Sequence, residues 1–359
     1  MKSLIFGYGV TGKSFDRYLS KKGINFDIYD EEISHPNSFS KLPDKKKLAS
    51  YEMIYLSPGI NLKKIYPNGE FNQVPYLTDI DIFFQEDNSY KIGITGTNGK
   101  STCCYHLHQL LDDSQLVGNI GKPVLDNINS CTYSIIELSS FQLEKVEKIQ
   151  LDLGVLLNIK PDHIDHHGSF EEYSRVKNRI NESKIFTEES NPKKLWSLIT
   201  GSDQAAVKDI QLKDLPHRLE YLAIGKGHIS SRLRFINDSK ATNIAALEYA
   251  LQNMPAPYVL ILCGDPSKEQ YKNYKIIGPI KVFIFGNHAK DIYKKISHPN
   301  KILLHNQDLS STIKLIAQEY FDNHTAVLFS PGHPSGKDYV NFDERGDHFT
   351  QLVWNLEND

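Results

Sequence analysis

The sequence predicts an α/β fold in three parts, residues 1–85, 86–205 and 206–359. Three observations carry this. Short apolar runs of strand character alternate with amphipathic helical runs along the whole chain, the pattern of parallel sheets covered by helices. Two strand-to-helix turns are rich in glycine, Gly7-Tyr8-Gly9-Val10-Thr11-Gly12 and Thr95-Gly96-Thr97-Asn98-Gly99-Lys100-Ser101-Thr102. A chain of 359 residues exceeds what one core usually organises, and a hydrophobic share of 40% suffices for two or three. The first and last parts are expected to be Rossmann-like, the central one P-loop-type.

The first part opens with Leu4-Ile5-Phe6 as a strand, the glycines Gly7, Gly9 and Gly12, and an amphipathic run through Phe15, Tyr18 and Leu19. Phe26-Asp27-Ile28-Tyr29-Asp30 follows as a second strand, completing a βαβ unit with G-x-G-x-x-G spacing. Asp30 stands where a dinucleotide fold places its ribose-binding acid. Such glycines hold any diphosphate, so the motif alone does not single out NAD. Ile54-Tyr55-Leu56 reads as another strand, ending in the turn Ser57-Pro58-Gly59-Ile60. The part is too short for two mononucleotide halves, which argues against a full dinucleotide site.

In the central part, Lys91 to Ile94 reads as a strand and Thr102 to Leu111 as a helix. The turn between them aims backbone N–H groups and the positive end of the helix dipole at one spot. Lys100 adds a mobile cation for a β/γ-phosphate and Ser101 a hydroxyl for Mg²⁺. Gly96, Thr97, Asn98, Gly99, Lys100, Ser101 and Thr102 are therefore the expected triphosphate-binding residues of a mononucleotide-binding domain. The spacing departs from G-x-x-x-x-G-K-[ST] where Ile94 replaces the first glycine. Tyr133 to Ser140 is an apolar strand ending in Glu137, which places that carboxylate at the sheet's carboxyl edge as an acidic Mg²⁺ partner should be. A third strand, Leu153 to Asn158, precedes Pro161-Asp162-His163-Ile164-Asp165-His166-His167-Gly168. Three histidines and two aspartates suit a metal-binding edge and a solvated polar loop equally. Ser169 and Glu172 form a capping box for a helix from Phe170 to Lys184. Lys177 lies two turns into it, and its spacing alone describes an ordinary exposed helix lysine.

The third part again alternates strands and helices. Phe235-Ile236, Tyr258 to Leu262, Val282 to Phe285 and Ala326 to Phe329 are β-type runs, with a helix at Asn243 to Gln252. Asp238-Ser239-Lys240-Ala241-Thr242-Asn243 follows the first run and Ser330-Pro331-Gly332-His333-Pro334-Ser335 the last. Polar clusters at strand ends are where ligands bind in open α/β sheets, and each is also compatible with a helix cap.

A formal net charge of −3 offers no bulk attraction to nucleic acid or an anionic membrane. No apolar run approaches the roughly 20 residues that cross a bilayer, and the first residues move straight into a strand rather than a signal peptide. Cys103, Cys104, Cys131 and Cys263 lack metal-ligand spacing, so reduced structural thiols and a cytoplasmic location are expected.

Taken together, these segments resemble the Mur ligases of bacterial cell-wall synthesis over essentially the whole chain. The loop Thr95 to Thr102 is similar to the ATP loop of that superfamily, which explains the missing first glycine. Asn119-Ile120-Gly121, Glu137-Leu138-Ser139-Ser140-Phe141-Gln142-Leu143-Glu144 and Asn158 through Asp165 are superfamily-type segments. Asn237 through Asn243, and the tail Ser330-Pro331 with Ser335 and Asn341 to Phe349, resemble the members that add D-glutamate. The resemblance implies an ATP-dependent amide ligase of peptidoglycan precursor synthesis. ATP would phosphorylate the carboxylate of UDP-N-acetylmuramoyl-L-alanine, and the amine of D-glutamate would displace phosphate from the acyl phosphate. A folylpolyglutamate synthetase-like ligase shares the triphosphate loop without the UDP-type N-terminal domain. A module that had kept the fold and lost the chemistry would lack some of Lys100, Glu137, His163 and Lys177; all four are present.

Carried over residue by residue, the resemblance implies that Lys100 holds the β/γ-phosphates, with Ser101 and Glu137 on one Mg²⁺ and His163 on a second. Lys177 matches the lysine that CO₂ carbamylates in this family, turning a cation into an anionic oxygen ligand for metal. Arg218 matches an arginine on the γ-phosphate and Asp238 an acid on the ATP ribose. Thr242, Ser335 and Phe342 match positions that hold D-glutamate, Val10 and Thr11 the uridine-diphosphate loop, and Asn119 a contact to the muramoyl substrate. Lys268 stands one residue from the place of the family's glutamate-binding lysine, and the short segment Gly201 to Leu215 leaves the adenine contact unassigned. The implied catalytic set is Lys100, His163, Lys177 and Arg218; the implied ligands are ATP, two Mg²⁺, UDP-N-acetylmuramoyl-L-alanine and D-glutamate. A monomer is expected, with neither nucleic acid nor membrane as partner.

Overall fold

Strand β1 (Lys2–Phe6) is the centre of a parallel sheet of order β3-β2-β1-β4-β5, with β2 (Phe26–Tyr29), β3 (Ser38–Phe39), β4 (Tyr51–Leu56) and β5 (Tyr76–Leu77). In this computed structural model, which describes residues 2–31, 35–69, 71, 75–223, 232–267, 273–304, 307–319 and 324–356, Leu4, Ile5 and Phe6 have no exposed surface. An unbroken apolar run is what a parallel strand covered on both faces requires. Helix α1 (Val10–Lys21) leaves the glycine turn so tightly that a Cβ on Gly12 would overlap the carbonyl oxygen of Gly7. Glycine alone permits that approach of helix to strand. The short helices α2 (Lys45–Leu48) and α3 (Leu62–Ile65) flank β4, and α4 (Asp79–Glu86), closed by a Thr78/Asp81 capping box, leads to the second sheet.

That second sheet is also wholly parallel, in the order β10-β9-β6-β8-β7. It comprises β6 (Tyr90–Thr95), β7 (Ser114–Gly118), β8 (Tyr133–Glu137), β9 (Leu153–Leu156) and β10 (Ile185–Thr187). Helices α5 (Lys100–Leu110), α6 (Ser140–Lys145), α7 (Ile164–His167), α8 (Phe170–Asn178) and α9 (Pro192–Thr200) connect its strands. The single helix expected from Phe170 to Lys184 instead stops at Asn178 and tightens into a 3₁₀ turn, Arg179–Glu182. The Arg179 guanidinium donates to the carbonyls of Leu143, Val146 and Glu147, which holds the chain in that turn.

The two sheets share one interior. Phe15, Leu19, Ile80 and Phe83 pack in the same core as Ile136, Leu143 and Val176. At its rim Arg17 forms a two-pronged pair with Asp126, at 3.0 and 2.5 Å. Burying both faces against each other explains why residues Met1–Lys213 form one compact unit. Its last segment is tied to α5 by the Gln109 side chain, which accepts from the Lys213 N–H (2.7 Å) and donates to its carbonyl (3.0 Å).

The second unit, Asp214–Asp359, is built on a six-stranded sheet of order β11-β12-β18-β13-β15-β17. It contains β11 (Glu220–Tyr221), β12 (Leu233–Asn237), β13 (Tyr258–Leu262), β15 (Lys281–Phe285), β17 (Lys301–Leu304) and β18 (Thr325–Phe329), with β14 (Tyr274–Lys275) and β16 (Ile296–Ser297) as a separate pair. Only β11 runs antiparallel in the large sheet. Helices α10 (Ile244–Asn253), α11 (Ala289–Lys295), α12 (Leu309–Gln318) and α13 (Phe342–Asn355) complete the unit, and Phe349 of α13 stacks on Phe329 at 4.6 Å. The four central strands match the β-type runs of the sequence. The edge strands β11 and β17 carry half-exposed residues and lack that signal. No helix of the described residues is long and apolar enough to cross a membrane.

Candidate active site

The glycine-rich turn after β6 is held open by its neighbours rather than by itself. Gly99 caps α5 with φ +84°, a left-handed conformation that glycine adopts without strain. Asn158 at the end of β9 clasps the turn: its Oδ1 accepts the Asn98 N–H at 3.1 Å, its Nδ2 donates to the Asn98 carbonyl at 2.9 Å, and its carbonyl accepts the Thr97 N–H at 2.9 Å. Thr97 Oγ1 accepts the Lys160 N–H at 2.9 Å and lies 3.0 Å from the Tyr173 hydroxyl. The turn and the strand ends around it therefore form one rigid edge, which is what an oriented set of anion-binding N–H groups needs.

Glu137, the last residue of β8, is 2% exposed and held from both sides. Ser101 Oγ donates to its Oε2 at 2.7 Å and Asn119 Nδ2 to its Oε1 at 2.9 Å. A buried carboxylate with a hydroxyl beside it, at the foot of the glycine-rich turn, is a hard-oxygen donor set suited to Mg²⁺.

Lys177 overturns the reading of an exposed helix lysine. It is 2% exposed, on the face of α8 that also buries Tyr173 and Val176. Its Nζ donates to the Gly96 carbonyl at 2.8 Å and to Thr95 Oγ1 at 3.3 Å, and sits 5.1 Å from the centre of the Tyr173 ring. Lys100 Nζ donates to the same Gly96 carbonyl at 2.9 Å and to that of Thr97 at 3.0 Å. Burial first, and the Lys100 ammonium second, push the Lys177 amine down to about 7. The usable sequence signal was the pair Tyr173 and Lys177 at i, i+4, which puts the lysine on the apolar face.

The structure thus brings Lys100, Ser101, Asn119, Glu137 and Lys177 together directly. His163 joins them less closely. It has φ +51°, is exposed, lies 3.6 Å from Asp162 Oδ2, and packs on Phe141 (4.9 Å) and Tyr173 (6.4 Å). Among the described residues it has no hydrogen bond to Glu137 or Lys177. The sequence marked His166 and His167 as part of a possible metal-binding edge but gave no sign that they converge with Glu144 beside it.

In the first sheet, the turn after β1 is braced by the neighbouring strands. Asp30 Oδ2 accepts the Tyr8 N–H at 2.7 Å, so the expected ribose acid here orders the glycine loop. Ser57 Oγ donates to the Gly7 carbonyl at 2.8 Å. Val10 is 72% exposed and Thr11 half-buried at the start of α1.

In the second unit Asp238 has no exposed surface. Its Oδ1 accepts the Leu219 N–H at 3.2 Å and lies 3.7 Å from Arg218 Nη1, while its Oδ2 accepts from Ser330 at 2.7 Å. Burial raises its carboxyl to about 6, against the opposing pull of Arg218. It orients Arg218 here. Arg345, also fully buried, joins two polar loops by donating to Ser239 Oγ (3.0 Å), the Ser239 carbonyl (2.7 Å) and the His333 carbonyl (3.1 Å). Beside it Lys240 Nζ stands 4.2 Å from the centre of the Phe342 ring, Thr242 is half-buried before α10, and Ser335 Oγ is buried with no hydrogen-bond partner. Lys268 lies outside the described residues. Cys103, Cys104, Cys131 and Cys263 are free thiols, and burial pushes Cys103 and Cys263 up to about 12.

The comparisons with known proteins fit this geometry. Residues 94–246 match the Mur ligase middle domain. The chain is 29% identical to the UDP-N-acetylmuramoylalanine–D-glutamate ligase of Buchnera aphidicola subsp. Acyrthosiphon pisum (strain Tuc7), covering 98% of this chain and 97% of that protein. That alignment extends over 438 positions against 359 residues, so the relative carries residues that this chain lacks. Among solved structures, UDP-N-acetylmuramate–alanine ligase from Thermotoga maritima shares the fold with a TM-score of 0.52 at 12% identity, covering 98% of this chain and 99% of that one. The MurF ligase of Thermotoga maritima, solved in complex with ADP, does so with a TM-score of 0.51 at 13% identity over 98% and 94% of the two chains.

Proposed function

We propose that this chain, which belongs to the Mur ligase family, is the ATP-dependent ligase that joins D-glutamate to UDP-N-acetylmuramoyl-L-alanine in peptidoglycan precursor synthesis. The observation that carries the reading is the convergence of two lysine amines and a gripped carboxylate at the carboxyl edge of one parallel sheet, in a chain whose near full-length relatives bear that name. A carboxylate is a poor electrophile at neutral pH, so it has to be activated. Its oxygen attacks the γ-phosphorus of ATP, ADP departs, and an acyl phosphate results. The D-glutamate amine then attacks the acyl carbon, loses a proton, and inorganic phosphate leaves as the amide forms.

The obstacle is repulsion between the γ-phosphate and the substrate carboxylate. Lys100 supplies positive charge at the phosphates, and the N–H groups of residues 96–102 orient them. Ser101 and Glu137, with His163 at a second position, would hold Mg²⁺, which screens the two anions from each other when bound. We assign Arg218 to the γ-phosphate and Asp238 to the ribose side, acting through its hold on Arg218. Thr242, Ser335 and Phe342 are assigned to D-glutamate, Val10 and Thr11 to the uridine diphosphate, and Asn119 to the muramoyl substrate. The unpartnered Ser335 hydroxyl supports a polar ligand group there.

Lys177 is proposed to act as a carbamate. With its amine near 7, a large fraction is neutral at physiological pH and able to attack CO₂. The neutral amine forms the N–C bond and one proton leaves to solvent; counted from the ammonium, two protons are lost in all, and a cation crowded by Lys100 becomes an anion attracted to it. A cytoplasmic, monomeric enzyme is part of the same proposal. The test is a coupled phosphate-release assay with ATP, UDP-N-acetylmuramoyl-L-alanine and D-glutamate, L-glutamate or D-aspartate. Turnover with D-glutamate alone is expected; turnover confined to another acceptor reassigns the enzyme.

A further inference from the structure

Between α6 and α7, beside the loop that carries His163, three side chains converge that the proposed reaction does not use. One ligand atom each from Glu144, His166 and His167 lies within 4.8 Å of the other two, the one such trio among the described residues. His166 Nε2 is 2.7 Å from Glu144 Oε2, and the two imidazoles meet edge to face at 4.7 Å. His167 is 5% exposed; its Nε2 meets Ser140 Oγ at 3.0 Å, while its Nδ1 is buried without any hydrogen-bond partner. Leaving a buried polar atom unsatisfied is costly, so this nitrogen is set up for something other than packing.

The surroundings orient the trio. Asn61 Oδ1 accepts the Lys64 N–H at the start of α3, at 3.0 Å, which turns its Nδ2 toward His166 Nδ1, also at 3.0 Å. His166 therefore carries its proton on Nε2 and shares it with Glu144. Lys63 Nζ stands 3.3 Å from Glu144 Oε1. A cleft of about 790 Å³, lined by Asn61, Lys63, Glu144 and Arg175 among others, gives solvent a route to Glu144.

We propose that Glu144, His166 and His167 form a binding site for one divalent transition-metal ion of the Zn²⁺ class, separate from the Mg²⁺ positions of the ligase reaction. Two imidazole nitrogens and one carboxylate favour a borderline ion; Mg²⁺ prefers oxygen ligands and holds its waters. The ion takes the place of the proton between His166 and Glu144. That proton moves to His166 Nδ1, where water from the cleft takes the place of the Asn61 Nδ2, while the Asn61 oxygen stays on the Lys64 N–H. His167 supplies the nitrogen that now has no partner, and water from the cleft completes the coordination. The site pins the end of α6 to α7 one ring away from His163, because Phe141 packs on His163, His166 and His167 at 4.9, 4.5 and 5.8 Å.

The test uses the full-length protein stripped with a chelator and titrated with Co²⁺, then Zn²⁺, followed by visible absorption. One equivalent of Co²⁺ is expected to give d–d bands that Zn²⁺ abolishes and millimolar Mg²⁺ leaves intact. His166→Ala and His167→Ala should each weaken Zn²⁺ binding by about 10–100-fold. His166→Gln and circular dichroism guard against loss of fold. Asn61→Asp keeps the cap and gives His166 a carboxylate to donate to, so it should tighten binding. Bands that persist in folded His166 and His167 variants, or no bands at one equivalent, overturn the proposal. Glu137→Gln should leave the bands unchanged. The assay needs neither ATP nor substrate, so its outcome is independent of the ligase reading.

Discussion

Lys100 and Lys177 donate to one acceptor, the carbonyl oxygen of Gly96, at 2.9 and 2.8 Å. Two ammonium groups converging on a single carbonyl repel each other, and the one with less access to water yields its proton more readily. That one is Lys177. The shared carbonyl therefore links the lysine proposed to bind phosphate to the reactivity of the second.

If Lys177 takes up CO₂, protein in ¹³C-labelled bicarbonate will show a carbamate resonance that is missing from Lys177→Ala. Ligase activity of that variant should fall by about 10²–10³, with partial recovery in short-chain carboxylic acids. Full activity without rescue would mean that the amine is a structural group.

Stability should respond to pH through the same residue. The folded amine titrates near 7 and the unfolded one near 10.5, so between these values the unfolded chain holds more protons and stability rises with pH. In CO₂-free buffer, Lys177→Met removes this contribution and should stabilise the protein at neutral pH by on the order of a few kcal/mol. Urea denaturation at a series of pH values measures it. The gain should shrink toward pH 10, and a gain that grows with pH contradicts the argument.

Asn119 contacts the carboxylate proposed to bind metal, so its removal should loosen Glu137. Asn119→Ala is expected to raise the Mg²⁺ concentration for half-maximal activity by about 10–100-fold. A change confined to the KM of the UDP-linked substrate would leave Asn119 as a substrate contact only.

Gly12→Ala would drive a methyl group into the Gly7 carbonyl. A thermal melt should show a loss of about 1–3 kcal/mol, together with a higher KM for the UDP-linked substrate. An unchanged melting temperature would show that α1 can move away from β1 freely.

Arg345→Met removes three hydrogen bonds that tie the Ser239 and His333 loops. Stability should drop by about 2–4 kcal/mol, and the KM for D-glutamate should rise more than kcat falls. A pure kcat effect would place Arg345 nearer the chemistry than its burial suggests.

Much of this site was legible residue by residue. The turn from Gly96 to Ser101, the strand-terminal Glu137, the Gly12 contact and the caps at Ser169 and Asn243 arise from neighbours in sequence, and such neighbours have few alternative conformations. Edge strands such as β11 and β17 were not, because short half-exposed segments bury too little to show a period.

By itself the sequence determined where strands hand over to helices, which loop is proposed to bind phosphate and which family the chain resembles, since these depend on local backbone chemistry and on words of a few residues. Only the tertiary structure decided that Lys177 is buried against Gly96 with a depressed pKa, that Asp238 is enclosed behind Arg218, and that Glu144 meets His166 and His167. The reason is physical: burial and charge proximity are set by segments distant along the chain, and a local i, i+4 pattern gives the face of a helix a side chain lies on without giving how far water is kept from it.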